Sequence, residues 1–353
     1  MIIIYLVKKF TSELLKRKIV IISDYVNPKK YSKRELADEI NFIDTIKHQI
    51  NKYDVQFDYV EVKNINDLKK SLKKHKREEL IIFNWCEFLE EKEGTAHMVT
   101  DYLERHNYMF TGADTQCLLL TGSKEKTKRK LLEHDVPTPK YAVLKHAVID
   151  SAAINKNSDL KKIGLDFPLM LKLEDRHASA GITNENVVYN VEQLSKVSKN
   201  LINKYHTNVL AEEFIDGGEY TVTVWGNGLN ASILNCAKVS FVDHKIGVID
   251  TESSKFKVGR TEHKNIKVAL IDDEKFIREI GRTVLKTYNA LNFSDYGRFD
   301  LREKNGVCYV LDCNSNPWIG LDAVLFKGTK NLGYNYGETL LQICEFAVKR
   351  NIQ

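Results

Sequence analysis

The residues best suited to chemistry lie in two strand-like stretches near the C-terminal end of the sequence. Arg298 and Asp300 lie two residues apart in the first stretch, and Asp312 and Asn314 have the same spacing in the second. Residues two apart on a strand point to the same face of a sheet. If the stretches pair antiparallel through Lys304-Asn305-Gly306, two carboxylates and an amide converge beside an arginine. Such oxygens are ligands for Mg²⁺, although a solvent-facing sheet surface alternates in the same way.

A second candidate is the acidic segment 211–220, which reads Ala-Glu-Glu-Phe-Ile-Asp-Gly-Gly-Glu-Tyr. An acidic strand end followed by two glycines and another acid can hold a planar ring through its backbone groups. The same segment can bind sugar hydroxyls through a carboxylate. The alternative is a solvated strand pair joined by a glycine turn.

Lysines form the third candidate set. Lys172 ends an apolar stretch that begins at Pro168, so its ammonium leaves a buried strand at a domain edge. The loop at residues 174–181 contains small residues, which allow backbone amides to approach an anion. Lys126 belongs to the basic run at residues 124–130, and such a run is also typical of a solvated helix face.

Alternating elements must position these residues. From residue 18 to about residue 121, apolar strand-like runs alternate with helical periodicity, which predicts an α/β lobe with parallel strands. A helix that begins near Ser123 should end at the proline-containing segment 136–140. Strands are then expected at residues 168–172 and 208–215, with a helix between them.

Patterns in the C-terminal part of the sequence predict the remaining strands and helices. Alternating polarity on both sides of Gly226-Asn227-Gly228 predicts a hairpin. Apolar residues at helical spacing predict a helix at residues 276–291. The two strand-like stretches follow, and a final helix is expected from about Tyr336 to Lys349.

Composition restricts the classes of function. Lys+Arg 53 and Asp+Glu 48 in 353 residues give a net charge of +5, which is too mild for a dedicated nucleic-acid binder. The length predicts roughly two or three domains, and no stretch approaches the ~20 apolar residues that span a bilayer. The six cysteines form no CxxC pair. The sequence therefore predicts a cytoplasmic protein with neither nucleic-acid nor membrane partners.

Taken in order, these segments resemble the ATP-grasp superfamily, and within it the D-alanine–D-alanine ligase-like carboxylate–amine ligases. The matching spans run from about Phe110 to Pro317, whereas residues 1–107 match only as a generic α/β lobe. The motifs that carry the resemblance are Tyr108-Met-Phe-Thr-Gly-Ala113, Glu125-Lys126 leading into Lys130-Leu-Leu132, Pro168-Leu-Met-Leu-Lys172, Glu212 through Glu219, Gly297-Arg-Phe-Asp300 and Leu311-Asp-Cys-Asn314.

The resemblance implies an ATP-grasp fold with an N-terminal Rossmann-like α/β lobe. It implies an N-terminal lobe at residues 1–120, a central lid subdomain at 121–210 and a C-terminal subdomain with the metal site at 211–353. The implied activity is ADP-forming amide synthesis from a small-molecule carboxylate and an amine, through an acyl phosphate. The implied cofactors are ATP and two Mg²⁺ ions, which Mn²⁺ can replace. Relatives of this kind also pair as homodimers through the N-terminal lobe.

The resemblance also assigns nucleotide-binding roles. Lysines contact the phosphates, backbone groups line the adenine pocket, and a carboxylate binds the ribose. The residues at the matching positions are Lys126, Lys172 and Lys255 for the phosphates, Glu212, Glu213 and Ile215 for the adenine pocket, and Glu219 for the ribose. Two lids are expected over the nucleotide, one at Glu174–Gly181 and one at Ile246–Val258.

The remaining implied roles belong to the reacting groups. Asp300, Asp312 and Asn314 are the implied metal ligands, and Arg298 steadies the oxyanion. Ser179 is the implied catalytic serine of the first lid.

The sequence departs from true D-alanine–D-alanine ligases in its substrate-binding segments. The N-terminal loop at Ser23–Pro28 lacks their acidic motif, and Trp318 stands where they have a glycine. We therefore expect the same chemistry on a carboxylate other than D-alanine. Two alternatives stay open: a ligase that modifies a peptide or carrier-protein end, and an ATP-binding regulatory protein without turnover.

Overall fold

The computed structural model describes residues 10–25, 33–92, 94–145, 157–176, 180–241 and 266–352. Within these ranges the strands form three sheets, of three, four and five strands. No helix in the described ranges is long and apolar enough to cross a membrane.

A parallel sheet in the order β2-β1-β3 forms the N-terminal lobe. Its strand β1 is buried from Ile19 to Ile22, as expected for a strand that is covered on both faces. Ile19 and Ile21 contact one core cluster, whereas Val20 and Ile22 contact another. The elements of this lobe are α1 (Ser12–Leu15), β1 (Lys18–Asp24), α2 (Lys33–Ile50), β2 (Phe57–Val62), α3 (Ile65–Leu72), β3 (Leu80–Trp85), α4 (Ala96–Arg105) and α5 (Thr115–Thr121).

An antiparallel sheet in the order β4-β7-β5-β6 forms the central unit. The helix before it begins at Ser123, whose side chain accepts a hydrogen bond from the amide of Lys126. Leu169, Leu171 and Leu173 alternate along β5 and contact the apolar face of the long helix that follows β6. The elements are α6 (Lys124–Glu133), β4 (Tyr141–Leu144), α7 (Asn157–Lys162), β5 (Leu169–Leu173), β6 (Val187–Val188), α8 (Val191–Tyr205) and β7 (Val209–Glu213).

An antiparallel sheet in the order β10-β9-β8-β11-β12 forms the C-terminal unit. Val222, Phe299 and Cys313 lie on the face that packs against α9, whereas polar residues alternate with them on the opposite face. The elements are β8 (Gly218–Trp225), β9 (Ser232–Phe241), β10 (Ile266–Leu270), α9 (Glu274–Ala290), β11 (Tyr296–Lys304), β12 (Val307–Asn314), α10 (Val324–Asn331) and α11 (Tyr336–Ile352).

Helix α11 joins the C-terminal unit to the N-terminal lobe. Leu340, Ile343 and Cys344 of this helix share a core cluster with Ile21 and Phe83 of the parallel sheet. The helix therefore covers one face of a sheet that lies more than 200 residues earlier in the chain.

A buried aspartate fixes this junction. The Asp295 carboxylate is fully buried and accepts hydrogen bonds from the Gly112 amide at 2.9 Å and from Asn227 Nδ2 at 2.8 Å. Arg350 Nη2 donates to Asp295 at 3.0 Å and to the Phe110 carbonyl at 2.9 Å. One carboxylate thus connects the end of the parallel lobe, the β8–β9 hairpin and α11.

The elements predicted from the sequence are confirmed. β1, α2 and the hairpin across Gly226-Asn227-Gly228 lie where the patterns place them, and β11 pairs antiparallel with β12. The patterns did not predict α4, β4 or α10. The predicted domain boundary after residue 210 falls inside β7, whose residues 209–213 all pair within the central sheet.

Candidate active site

Two paired strands bring the predicted metal ligands together. In the β11–β12 register Asp300 lies opposite Asp312 and Arg298 lies opposite Asn314, so all four side chains share one face. We call these four residues the metal face. Arg298 Nη2 lies 3.4 Å from Asp300 Oδ2, and the two side chains are 29% and 33% exposed. The convergence predicted from residue spacing is confirmed.

The metal face continues onto the neighbouring strand β8. Thr221 lies opposite Asp300, and Thr223 lies opposite Arg298. Both threonines are buried, and neither hydroxyl has a hydrogen-bond partner within the described ranges. The sequence reasoning did not single them out, although the alternation from Glu219 through Thr221 to Thr223 placed them on the polar face.

The donor set of the metal face suits a hard cation. Asp300 and Asp312 offer carboxylate oxygens and Asn314 offers an amide oxygen, which are the ligand types that Mg²⁺ takes. The metal face offers only two carboxylates beside its amide, and no three His, Cys, Asp or Glu side chains gather into a metal-binding group in the described part of the chain. A set of two carboxylates and one amide fits an ion whose remaining positions are filled by water and substrate phosphates.

Near Asp312 of the metal face lies a buried cluster that we call the lysine–glutamate cluster: Lys128, Glu212 and Lys172. Lys128 Nζ lies 2.9 Å from Glu212 Oε2, and both side chains are only 2% exposed. Lys172 forms an ion pair with the other oxygen of Glu212. Lys128 also donates to Thr138 Oγ1 at 2.8 Å. The cluster joins α6 to strands β5 and β7 of the central sheet.

The pKa shifts in the cluster show how its charges depend on one another. Burial by itself would raise the pKa of the Glu212 carboxyl, but Lys128 and Lys172 together hold that pKa below its ordinary value. Burial lowers the pKa of Lys128, and the Glu212 carboxylate opposes this effect. For Lys172 burial is the largest single influence and acts to lower the pKa, but Glu212, Asp312 and Glu219 together outweigh it and the pKa is raised. A charged lysine is thereby stabilised at the end of β5.

The inward side of the basic run in α6 does not include Lys126. Lys126 is exposed, whereas Lys124, Thr127, Lys128 and Leu131 are buried. Those four follow the i, i+3, i+4, i+7 spacing of a helix stripe that faces inward. Sequence reasoning missed Lys128, and this spacing is the signal that could have found it. The role of Lys126 at the phosphates stays a prediction.

A second ion pair lies on the connector between β7 and β8. Arg302 Nη2 donates to Glu219 Oε2 at 2.7 Å, and its Nη1 donates to the Ile215 carbonyl at 2.9 Å. Burial raises the pKa of Glu219, although Arg302 opposes this shift. Glu213 is half-buried, and its amide donates to the Lys140 carbonyl at 2.8 Å. The predicted base- and ribose-binding residues thus lie at the end of β7, at Ile215 in the connector and at Glu219 near the start of β8. Arg302 is a further residue that the sequence analysis missed.

The start of the first predicted lid is anchored to α6. The Glu174 carboxylate accepts hydrogen bonds from the Ser123 hydroxyl and, at 3.2 Å, from the Glu125 amide. Ser179 and Lys255, together with the predicted second lid at Ile246–Val258, lie outside the described residues.

An aromatic group occupies the loop after the metal face. The Trp318 ring centroid lies 5.2 Å from that of Trp85 at the end of β3 and 6.4 Å from that of Phe42 on α2. Trp318 Nε1 donates to Asp322 Oδ1 at 2.9 Å. The indole lies over Gly320, where an added Cβ would come within 2.4 Å of the ring. Trp318 thus brings the loop after β12 against the N-terminal lobe.

The fold and this arrangement of residues define an ATP-grasp protein. A D-alanine–D-alanine ligase from Bacillus anthracis complexed with ATP aligns with a TM-score of 0.70 and 19% identity, covering 95% of this chain and 99% of that one. The VanG D-Ala:D-Ser ligase from Enterococcus faecalis aligns with a TM-score of 0.69 and 15% identity, covering 94% and 99%.

Sequence comparison gives the family. The family model described as "D-ala D-ala ligase C-terminus" matches residues 131–345, so the chain belongs to this family. A D-alanine–D-alanine ligase from Herminiimonas arsenicoxydans is 26% identical over 249 residues, which is 69% of this chain and 70% of the relative. The uncharacterized protein y4sG from Sinorhizobium fredii is 24% identical over 271 residues, 76% of this chain and 75% of that one. The chain is an enzyme, an ATP-dependent ligase of the carboxylate–amine type.

Proposed function

We propose that this protein joins the carboxylate of an amino acid or small peptide to an amine through an acyl phosphate, converting ATP to ADP and phosphate. The observation that carries the proposal is the β11–β12 register, which puts Arg298, two carboxylates and an amide on one face. The lysine–glutamate cluster supports it, because it provides a charged lysine at the end of an adjoining sheet.

The chemistry explains why these residue types occur together. A carboxylate is a weak nucleophile, so transfer of the γ-phosphoryl group depends on positioning and on neutralising its charge. Lys172 would supply charge at the phosphates. Asp300, Asp312 and Asn314 would hold two Mg²⁺ ions, or Mn²⁺ in their place, which supply Lewis-acid stabilisation of the phosphoryl oxygens. Arg298 would then donate to the oxyanion that forms when the amine attacks the acyl carbon.

We further propose that the substrates differ from D-alanine. Trp318 packs on Trp85 and Phe42, so the loop beside the metal face carries a large aromatic group next to the N-terminal lobe. Its ring lies over Gly320, where only a residue without a side chain fits. An indole in this position restricts the space for a carboxylate substrate and offers it an apolar wall.

The test is release of ADP and phosphate from Mg-ATP against a panel of amino acids and dipeptides, singly and in pairs, with mass detection of products. ADP release that depends on a pair of substrates and gives a new amide mass supports the proposal and identifies the substrates. Formation of D-alanyl-D-alanine at a rate comparable to that of a cell-wall ligase would contradict the substrate proposal. Binding of ATP without turnover on the whole panel would contradict small-molecule substrates and favour a peptide or carrier-protein end.

A further inference from the structure

Arg302 is a buried charged residue of β11, beside the connector between β7 and β8. It follows Asp300 by two residues on β11, so it extends the polar face, and it lies opposite Glu219 of β8 in the sheet register. Its side chain is 8% exposed, and that of Glu219 is 19% exposed. A buried guanidinium is stable only when its donors are satisfied. The contacts of Arg302 therefore show what it holds in place.

The guanidinium group of Arg302 donates hydrogen bonds to two groups. Nε and Nη2 both donate to the same oxygen of Glu219, Oε2, at 3.0 and 2.7 Å. Nη1 donates to the Ile215 carbonyl at 2.9 Å. The guanidinium carbon lies 4.7 Å from the centroid of the Phe214 ring, a distance at which a cation over an aromatic face is attracted. One side chain thus fixes a carboxylate, a backbone carbonyl and an aromatic ring.

The arrangement is asymmetric at Glu219. Both bonds from Arg302 go to Oε2, and no group of the described residues donates to Oε1. The amide of Ile215 likewise donates to no acceptor within the described ranges. One acceptor and one donor therefore remain available beside Phe214.

Charge explains why an arginine is needed here. Burial raises the pKa of the Glu219 carboxyl, which favours its protonated form. A protonated carboxyl can present a donor, whereas an ionised one is an acceptor only. The guanidinium opposes protonation and, because its fork is planar and rigid, it also sets the rotation of the carboxylate.

We propose that Arg302 is a positioning residue for the sugar of the nucleotide. By binding Oε2 it holds the Glu219 carboxyl group in the rotation that leaves Oε1 to accept a ribose hydroxyl, and by binding Ile215 it fixes the connector that flanks the base. The inference rests on the proposed use of ATP and on the ribose role of Glu219. It predicts that preference for a ribonucleotide over a deoxynucleotide depends on Arg302, a residue that does not itself touch the nucleotide.

The test is calorimetric titration of the full chain with Mg-ATP, Mg-2′-deoxy-ATP and Mg-3′-deoxy-ATP. A hydrogen bond to a charged group contributes about 1.5–3 kcal/mol, so the wild-type chain should bind ATP about 10- to 100-fold more tightly than one of the deoxynucleotides. In Arg302→Met this ratio should fall to within about threefold, because the carboxylate is no longer held. Arg302→Lys should retain part of the preference for ATP over the deoxynucleotide, since lysine keeps the positive charge but lacks the planar guanidinium group.

Two controls separate positioning from a general structural role. Arg278→Met removes an exposed arginine from α9 and should leave the ATP-to-deoxynucleotide ratio unchanged. Glu219→Gln should reduce the ratio, and adding Arg302→Met to it should produce little further loss, because the two residues act on one contact. If Arg302→Met does not fold, Arg302→Lys tests the inference instead: its ATP-to-deoxynucleotide ratio should be lower than that of the wild-type chain.

The outcomes distinguish this inference from the proposed function. If the wild-type chain does not bind ATP, both are overturned. If ATP binds and the ATP-to-deoxynucleotide ratio is the same in wild type and in the folded Arg302 variants, the inference about Arg302 is overturned and the proposed function stands.

Discussion

The lysine–glutamate cluster and the metal face are two charged groups of the same site that are held in opposite ways. Lys128 and Glu212 are 2% exposed and 2.9 Å apart. Arg298 and Asp300 are about a third exposed and 3.4 Å apart. Buried charges must be fully paired, whereas half-exposed ones can exchange water for a ligand. The charges of the cluster are therefore paired within the protein, whereas the side chains of the metal face stay within reach of water or of a ligand.

This contrast predicts where function and stability separate. A change on the metal face should reduce turnover and leave the fold intact, because water can solvate what remains. A change in the cluster should reduce stability, because an unpaired charge would be left in the interior. The following substitutions test this division, beginning with the largest expected effect.

Changing Asp312 to Asn should lower ADP formation by about a thousandfold or more, because a metal ligand set supplies several kcal/mol of charge stabilisation. The free energy of unfolding should change by less than about 0.5 kcal/mol, as for other partly exposed positions. The measurements are ADP release with the substrate pair from the panel and urea unfolding. Glu303→Gln, near the turn of the same hairpin, is the control and should keep full turnover. Unaltered turnover in Asp312→Asn would remove this residue from the metal site.

Changing Glu212 to Gln should lower the free energy of unfolding by about 3–5 kcal/mol, because Lys128 and Lys172 would face each other without the carboxylate. Urea unfolding followed by circular dichroism measures the loss. Glu213→Gln changes the neighbouring, half-buried residue and should shift the free energy of unfolding by less than about 0.5 kcal/mol. Equal losses in the two variants would show that the cluster is no more important for stability than the strand that carries it.

Changing Lys172 to Met should raise the dissociation constant for Mg-ATP by about 10- to 100-fold, because one charge-assisted contact of about 1.5–3 kcal/mol is lost. Calorimetric titration measures it. Lys126→Met serves as the comparison, because Lys126 is exposed on α6 whereas Lys172 is paired with Glu212. A larger effect in Lys126→Met would make Lys126 the stronger phosphate contact of the two lysines that the family resemblance assigns to the phosphates.

Acid should produce the smallest of these effects. The pKa of Glu212 is below its ordinary value in the folded chain, so this carboxylate contributes stability above its ordinary pKa and loses that contribution as pH falls through the folded-state pKa. The urea midpoint should therefore fall on acidification below about pH 4.5, and Glu212→Gln should weaken this dependence. A Glu212→Gln profile parallel to wild type would show that Glu212 does not titrate in this range.

Residue spacing predicted the metal face because a strand has a period of two and a short turn fixes the register. The pairing of Asp300 with Asp312 could be predicted from the sequence once the turn at Lys304–Gly306 was recognised. The ion-pair partners of Lys128 and Arg302 could not be predicted, because those partners, Glu212 and Glu219, lie 84 and 83 residues away in the sequence. Strand β4 was missed for a similar reason, since its four half-buried residues pair with β7 and carry no strong pattern of their own.

The contact between Phe110 and Arg350 has a consequence for how the chain folds during synthesis. The two residues are separated by 240 positions, and the ribosome adds roughly 5–20 residues per second. About 12–50 s therefore pass between synthesis of the parallel lobe and arrival of the helix that covers it. Throughout that interval Ile21 and Phe83 lack their partners on α11 and have only earlier members of their core cluster, such as Ile46 and Ile50 of α2, so this face of the sheet is only partly covered until the helix emerges.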